Sequence, residues 1–522
     1  MSFTSPAFVL FLAVLAVLYF VVPRRAQWPV LLAGSLVFYL FAGVELLGFL
    51  VFTIVTVYAA GRILGRWQER QKAWLRENKD AAREDKKAYK AAVQRKSRAV
   101  LGLTLALNFG MLFFCKAALL EPLKGYLSGS RVEFLSLGLP MGISFYLFQS
   151  MGYLIDVYRG TVPCETNLGR LALFSSYFPQ LVQGPISKYS ALAQELYKPH
   201  RFDAARVHMG IQRILWGYFK KLVIADRIAA AVVTLKGDGY TGAWFFLLTL
   251  FYAVQIYGDF TGGIDITLGV SQILGIPLAE NFNHPFLSKN IAEYWRRWHI
   301  SLGEWMKDYI FYPISVSKPM RSLSKSARRT LGDKVGRKLP VYVASFATWF
   351  VTGLWHGLEA HYLVWGMMNC VVIVASEELE PLYARFHAKF PSLKQRRLYG
   401  AFEIVRMFVL MNLIRASDLF SSVGTYFSRM FSLVTVWNVG ELFGGGLLEL
   451  GLNAGDYVLL ALALGVVFAV CRASLRAPVR ESLQSASPWL RYSATAALLV
   501  AVLLFGVYGQ GYDASSFIYN QF

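Results

Sequence analysis

The chain has 522 residues, of which 56% are hydrophobic and only 16% are charged, and its mean hydropathy is +0.43. Soluble domains carry about 25% charged residues, so this composition excludes an ordinary soluble globular protein. The formal net charge of +21 fits basic cytoplasmic loops facing anionic lipid. Because no nucleic-acid-binding motif accompanies the charge, we expect membrane lipid and no nucleic acid as its partner.

The N-terminal third predicts membrane helices around one basic insertion. Apolar runs over about 7–22, 28–44 and 46–64 each approach the ~20 residues that cross a bilayer. The first run lacks a basic region before it and a cleavage site after it, so we interpret it as an uncleaved helix. Residues 66–98 carry 12 Lys/Arg against 5 Asp/Glu and predict a cytoplasmic helical insertion. The N-terminus is therefore expected outside.

The remaining segments continue this pattern as far as the C-terminus. Further spans are predicted at 99–120, 140–160, 207–235 and 244–276, and two prolines and a glycine within 168–192 predict a broken or re-entrant helix. A basic loop at 318–338 carries eight Lys/Arg and one Asp. Apolar segments follow at 340–358, 362–376, 399–414, 423–437, 456–470 and 492–507. The sequence thus predicts an all-α polytopic membrane protein with about 11 transmembrane or re-entrant helices.

Two of the seven histidines stand in unusual settings, 57 positions apart. His299 lies in NFNHPFLSKNIAEYWRRWHISLGEWMKDY (281–309), and His356 lies in GLWHG (353–357) within an apolar segment. Ionisable groups at membrane depth are costly and usually functional. The flanking glycines of His356 permit close approach of backbone or substrate, and a neutral imidazole suits a general base. The alternative is a histidine that only hydrogen-bonds neighbouring helices.

The segment around His299 is rich in aromatic residues. On a single helix, Trp295, Trp298, Trp305 and Tyr309 would form a broad aromatic side, with Trp295 and His299 one turn apart. An interfacial amphipathic helix with an aromatic belt would look similar. That alternative accounts for the position of the helix but not for its histidine.

Other chemistries lack their motifs. There is no GxSxG, P-loop or HExxH sequence, and four scattered cysteines with these histidines make no zinc set. Histidine acid/base chemistry remains, and it suits acyl transfer to a hydroxyl. Two alternatives stay open. One is a proton-coupled transporter or flippase, and the other is a non-catalytic scaffold of a polysaccharide export complex.

Six motifs, in order, resemble one family. They are PMGISFYLFQSMGYLIDVYRG, YFPQLVQGPISKY, QIYGDFTGGIDITLGV, FNHPFLSKNIAEYWRRWHISLGEWMKDY, GLWHG and the terminal FIYNQF. The chain resembles the membrane-bound O-acyltransferases (MBOAT), and within them the AlgI-like branch related to DltB.

The resemblance implies a fold and a site. It implies one MBOAT domain over 1–522, with helices ringing a central tunnel, a catalytic core at 140–370, the insertion at 66–98 and C-terminal helices at 399–522. His356 would be the catalytic histidine and His299 the second motif histidine lining the tunnel. Further lining residues are expected to be Trp295, Trp298, Asn281, Asp259, Gln255, Trp355 and Asp308.

The resemblance also implies an activity and its partners. An acyl group, commonly acetyl, would pass from a cytoplasmic thioester, acetyl-CoA or an acylated carrier protein, across the bacterial inner membrane, with no bound cofactor. The acceptor would be an exopolysaccharide, as in alginate biosynthesis, or a relay partner of the SGNH, AlgX or AlgJ type. After DY the chain departs from the family pattern with a long basic loop, so the polymer stays unassigned. We expect one of two roles for that loop. It docks an acidic carrier protein or the phosphates of coenzyme A, or its basic residues only mark it as a cytoplasmic loop.

Overall fold

The computed structural model describes residues 1–120, 124–125, 139–508 and 517, and helices dominate them. Within this part of the chain the only β contact is an isolated bridge between Phe282 and Trp298, so the predicted all-α fold class is confirmed there. The principal α-helices are α1 (Pro6–Val21), α2 (Gln27–Leu40), α3 (Leu47–Glu77), α4 (Arg83–Ala117), α5 (Ile143–Arg159), α6 (Leu168–Ser176), α7 (Phe178–Gln183), α8 (Tyr189–Tyr197), α9 (Ala204–Tyr218), α10 (Asp226–Leu235), α11 (Ala243–Leu274), α12 (Ile291–Arg297), α13 (Ile300–Met306), α14 (Tyr312–Ser315), α15 (Lys318–Thr330), α16 (Asp333–His356), α17 (Ala360–Lys389), α18 (Arg397–Arg415), α19 (Val423–Thr435), α20 (Val439–Phe443), α21 (Ala454–Ser474), α22 (Val479–Gln484) and α23 (Pro488–Phe505).

Six helices in the described part are long and apolar enough to cross a membrane: α3, α4, α11, α17, α21 and α23. Helix α1 is apolar but shorter. Large aliphatic side chains are exposed on these helices, for example Leu462 at 65% and Leu504 at 70%, which suits contact with lipid rather than water. The chain is therefore a multi-pass membrane protein. The total of about 11 crossing or re-entrant segments stays a prediction.

The basic insertion is a helical hairpin whose arms are extensions of membrane helices. Helix α3 runs past its predicted end at 64 to Glu77, and α4 begins at Arg83. Trp74 stacks on Tyr89 across the hairpin, with 4.3 Å between ring centroids. The Ala, Glu, Lys and Arg of this segment favour helix, so the helices continue where the apolar sequence stops.

One compact unit comprises the described residues within 1–211 and 267–279, together with Phe517. It contains the segment predicted to be broken, which forms the three short helices α6, α7 and α8. At one break the Gln180 amide donates to the Pro185 carbonyl and to the Ser187 hydroxyl, both at 2.6 Å. Such bonds satisfy backbone groups that a broken helix leaves free. Of the terminal FIYNQF motif, only Phe517 lies among the described residues.

The other compact unit comprises the described residues within 212–266 and 280–508 and contains both motif histidines. A π-helical turn, Phe219–Ala225, joins α9 to α10. Its two lysines form buried ion pairs with α11, Lys220 with Asp265 at 2.6 Å and Lys221 with Asp259 at 2.5 Å. These pairs hold α11 against the π-helical turn. Helix α11 also carries Phe260, which contacts the ring of His299.

Candidate active site

His356 is the last residue of α16, and its side chain is buried among aromatic rings. Trp365 and Trp355 lie edge-on to the imidazole, with centroids 4.5 and 4.8 Å away. Tyr362 is nearly parallel to it at 6.2 Å. These rings fix the plane of the imidazole and limit its contact with water.

Glycines bring the helices on either side of His356 together. A Cβ on Gly353 would lie 2.8 Å from the Tyr362 carbonyl oxygen, and one on Gly366 would lie 2.5 Å from the Trp349 carbonyl oxygen. At Gly357 a Cβ would overlap the Tyr362 ring. The prediction that the glycines of GLWHG permit close approach of backbone is therefore confirmed.

His299 does not lie on a continuous helix, so the prediction of a single helix with Trp295 and His299 one turn apart is wrong. Helix α12 ends at Arg297, Trp298 is extended, and His299 has φ of +48° before α13 begins. Two backbone bonds hold this break, Ile300 N to Asn281 O at 3.0 Å and Asn283 N to Arg297 O at 2.9 Å. Pairing with the 281–283 segment compensates for the left-handed backbone, which is uncommon for a non-glycine residue.

Asn281 fixes the orientation of the His299 ring. Its side-chain oxygen accepts from the backbone N–H of Ser301 and from its hydroxyl, both at 2.9 Å. Its side-chain nitrogen lies 3.2 Å from Nδ1 of His299. Because the amide oxygen is occupied by Ser301, we assign the amide N–H as donor to Nδ1, which places the imidazole proton on Nε2.

One aromatic cluster contacts both histidines. The ring of Trp355 lies 6.1 Å from the His299 ring and 4.8 Å from the His356 ring. Trp295 packs against Trp365, with 5.9 Å between centroids, and Trp365 contacts His356. The structure thus brings four of the predicted site residues, His299, His356, Trp355 and Trp295, together in one aromatic cluster.

Trp298, which lies between α12 and α13 directly before His299, is also buried. It packs against Phe260 of α11 at 6.1 Å, and Phe260 also contacts the His299 ring at 4.9 Å. The Arg415 guanidinium lies 4.1 Å from the Trp298 ring centroid and donates to the Tyr294 hydroxyl at 2.7 Å. A cation over an indole face is a favourable arrangement, and it anchors Trp298 beside the histidine.

The three remaining predicted residues have other surroundings. Asp259 is 1% exposed and pairs with Lys221. Gln255 lies one turn earlier on α11, and its buried Oε1 has no hydrogen-bond partner within the described residues. Asp308 is half-buried in the π-helical turn Lys307–Phe311. Their membership of the site stays a prediction.

Sequence reasoning missed Arg415, Tyr362 and Trp365. Arg415 follows the apolar run 407–414, and a charge directly after such a run was a detectable signal. Tyr362 and Trp365 gave no signal of a functional role, because aromatic side chains are common in apolar helices. Their role depends on the turn at Gly357, which folds α17 back onto His356.

Comparisons with known proteins agree on one family. A model of the MBOAT, membrane-bound O-acyltransferase family, matches residues 165–415. The chain is 32% identical over 382 residues to the probable alginate O-acetylase AlgI of Azotobacter vinelandii, covering 70% of this chain and 66% of that protein. It is 31% identical to the AlgI of Pseudomonas putida, covering 70% and 68%. It is 27% identical to the peptidoglycan O-acetyltransferase of Helicobacter pylori, covering 75% and 73%. The chain thus spans about two thirds of the length of these two AlgI proteins.

Proposed function

Because the chain belongs to the membrane-bound O-acyltransferase family, we propose that it transfers an acyl group, in the simplest case acetyl, from a thioester to a hydroxyl, with His356 as general base. The relatives named for O-acetylation of alginate and peptidoglycan support acetyl as the group and a cell-surface polymer as its destination. The observation that carries the proposal is the burial of His356 at the end of α16, against the ring of Trp355, which also contacts His299.

The reaction needs one proton to move from the hydroxyl oxygen of the acceptor to the sulfur of the leaving thiol. The His356 imidazole accepts the proton of the acceptor hydroxyl while that oxygen attacks the thioester carbonyl carbon. As the tetrahedral intermediate collapses, the C–S bond breaks and the imidazolium returns the proton to the leaving sulfur. The products are an ester and a free thiol, and the enzyme ends as it began.

His299 has a separate role in this proposal, on the donor side. Its ring is held by Asn281 and by the left-handed backbone at the end of α12, so it positions a ligand well but has little freedom to move. The path between donor and acceptor is lined by Trp295, Trp298 and Trp355. The two histidines then act at different points of one path.

The donor, partners and topology complete the proposal. The donor is a cytoplasmic thioester, acetyl-CoA or an acylated carrier protein, which meets the basic helix α15 and its neighbours. The acceptor is an extracytoplasmic polysaccharide or a relay protein of the SGNH type. The chain forms one domain in the bacterial inner membrane, with its N-terminus outside, and 140–370 form its catalytic core.

The test measures ester-linked acyl groups on the cell-surface polymer of a producing strain whose own gene is deleted. Wild-type protein should restore esterification, and His356→Ala should leave it at the level of the deletion at equal membrane abundance. His387→Ala is the matched control, because this histidine bonds Tyr399 near the end of α17. Wild-type ester levels with His356→Ala would refute the assignment. Polymer movement into vesicles without any acyl donor would favour a transporter.

A further inference from the structure

A polar pocket lies next to the aromatic rings around His356. Its volume is about 380 Å³, and it opens to solvent between the start of α17 and the segment that joins α18 to α19. Pockets of about 300–1,000 Å³ are the usual size of small-ligand sites. The mechanism proposed above assigns no role to this pocket.

Several polar residues line the pocket. Asp418 contributes a buried Oδ1 that has no hydrogen-bond partner in the part of the chain that the structure describes. His361 is 4% exposed, and its Nε2 lies 3.7 Å from Glu359. Ser421 and Ser422 also line the pocket. A buried acceptor without a partner is costly, so Asp418 points to a ligand that donates hydrogen bonds.

Asp418 lies between α18 and α19, outside the six membrane-spanning helices. Burial raises the pKa of its carboxyl to about 7, and the neighbouring Arg415 opposes that rise. The carboxyl therefore takes up a proton at a higher pH than an exposed aspartate does. It can accept a hydrogen bond from one hydroxyl or donate one to another.

Tyr362 separates the pocket from the catalytic imidazole. It lines the pocket and also stacks on His356, with the two ring planes inclined by 21°. The absence of a side chain at Gly357 creates the space for its ring. A sugar unit held in the pocket is therefore one aromatic ring away from the proposed base, so the hydroxyl that reacts must belong to a neighbouring unit that reaches His356 itself.

We propose that this pocket is the acceptor subsite and that it binds a neutral sugar unit, with Asp418 as its principal hydrogen-bonding group and Tyr362 as its inner wall. The inference rests on the proposed function. The pocket offers several hydrogen-bond donors and acceptors. Such a lining matches a sugar ring with several hydroxyl groups better than it matches the single hydroxyl of a serine side chain.

The charge of the lining argues against an acidic sugar. Its basic residues are the exposed Lys236 and His361, which faces Glu359, whereas Asp418 and Glu359 are both acidic. A uronate carboxylate held inside would lie against the Asp418 carboxyl, and the described residues that line the pocket include no arginine and no buried lysine to pair with it. Burying such a charge unpaired is strongly unfavourable.

The experiment measures saccharide binding separately from catalysis. Full-length His356→Ala protein in nanodiscs is titrated calorimetrically with a neutral glucose trisaccharide and with a uronate trisaccharide. We expect the neutral saccharide to bind at least tenfold more tightly. Asp418→Leu should weaken its binding at least tenfold, because one buried hydrogen bond to an ionisable group is lost. Asp418→Asn should retain most of the affinity.

Several outcomes would overturn the proposal. They are tighter or equal binding of the uronate, unchanged affinity in a folded Asp418→Leu protein, and absent saccharide binding when wild-type protein acylates a serine of a partner protein. If Asp418→Leu does not fold, Glu359→Gln on the exposed rim of the pocket provides the second test. We expect Glu359→Gln to lose less saccharide affinity than Asp418→Leu, and an unchanged affinity would contradict the proposal. Failure of acyl transfer in wild-type protein with intact sugar binding would instead refute the proposed function.

Discussion

Adding one methyl group at Gly353 should displace His356 without touching it. The Cβ of Gly353→Ala would lie 2.8 Å from the Tyr362 carbonyl oxygen and 3.3 Å from the Leu363 Cα. Ordinary contacts begin at 3.4 Å, so α16 and α17 must separate by about 0.6 Å. Overpacking of this kind costs about 1–3 kcal/mol. Because a ~1 Å misplacement of reacting groups costs about 100-fold in rate, we expect acyl transfer to fall roughly tenfold.

The assay for this change compares purified variants in nanodiscs by acyl-transfer rate and thermal midpoint. Gly465→Ala in α21 is the matched control, because nothing lies within 4 Å of its Cβ. It should keep the wild-type rate and gain up to about 1 kcal/mol from helix propensity. If Gly353→Ala had the rate and midpoint of this control, the close packing of α16 on α17 would not position His356.

Two further substitutions test the supports of the site. Lys221→Met removes the cation 2.5 Å from Asp259, and breaking a buried pair costs about 3–5 kcal/mol. The thermal midpoint should fall well below that of Lys338→Met, which removes a pair at the surface; equal midpoints would contradict a structural role for the buried pair. Asn281→Ala frees the ring of the second motif histidine, so transfer should fall about 10–100-fold. The exposed Asn283→Ala is its control, and equal rates in the two variants would count against the positioning role.

The sequence predicted the all-α fold class and singled out the two histidines as a candidate site, because the signals for both are local. Apolar run length identifies membrane helices, and a histidine within such a run is costly enough to mark a site. The basic segment was correctly expected to be helical, but its continuity with α3 and α4 was not. Helix ends depend on propensity and capping as well as on hydropathy, so an apolar run alone underestimates their length.

The geometry around His299 could not be predicted from spacing. The aromatic periodicity of 295–309 fits one helix, but pairing of the break with residues 281–283 interrupts it. That pairing is a tertiary interaction between segments that are apart in the sequence, and it overrides local helix propensity. The same holds for Arg415 and Tyr362, whose partners lie on other helices.

The transfer of a proton to His356 is the central claim, and single-turnover kinetics test it most directly. Purified protein in nanodiscs is mixed with a labelled acyl thioester and a hydroxyl acceptor, and ester formation is followed. In His356→Ala we expect ester formation to slow by about 10²–10⁴-fold, the usual contribution of a general base, with the thermal midpoint unchanged. Ester formation within about threefold of the wild-type rate would contradict a catalytic role for this histidine.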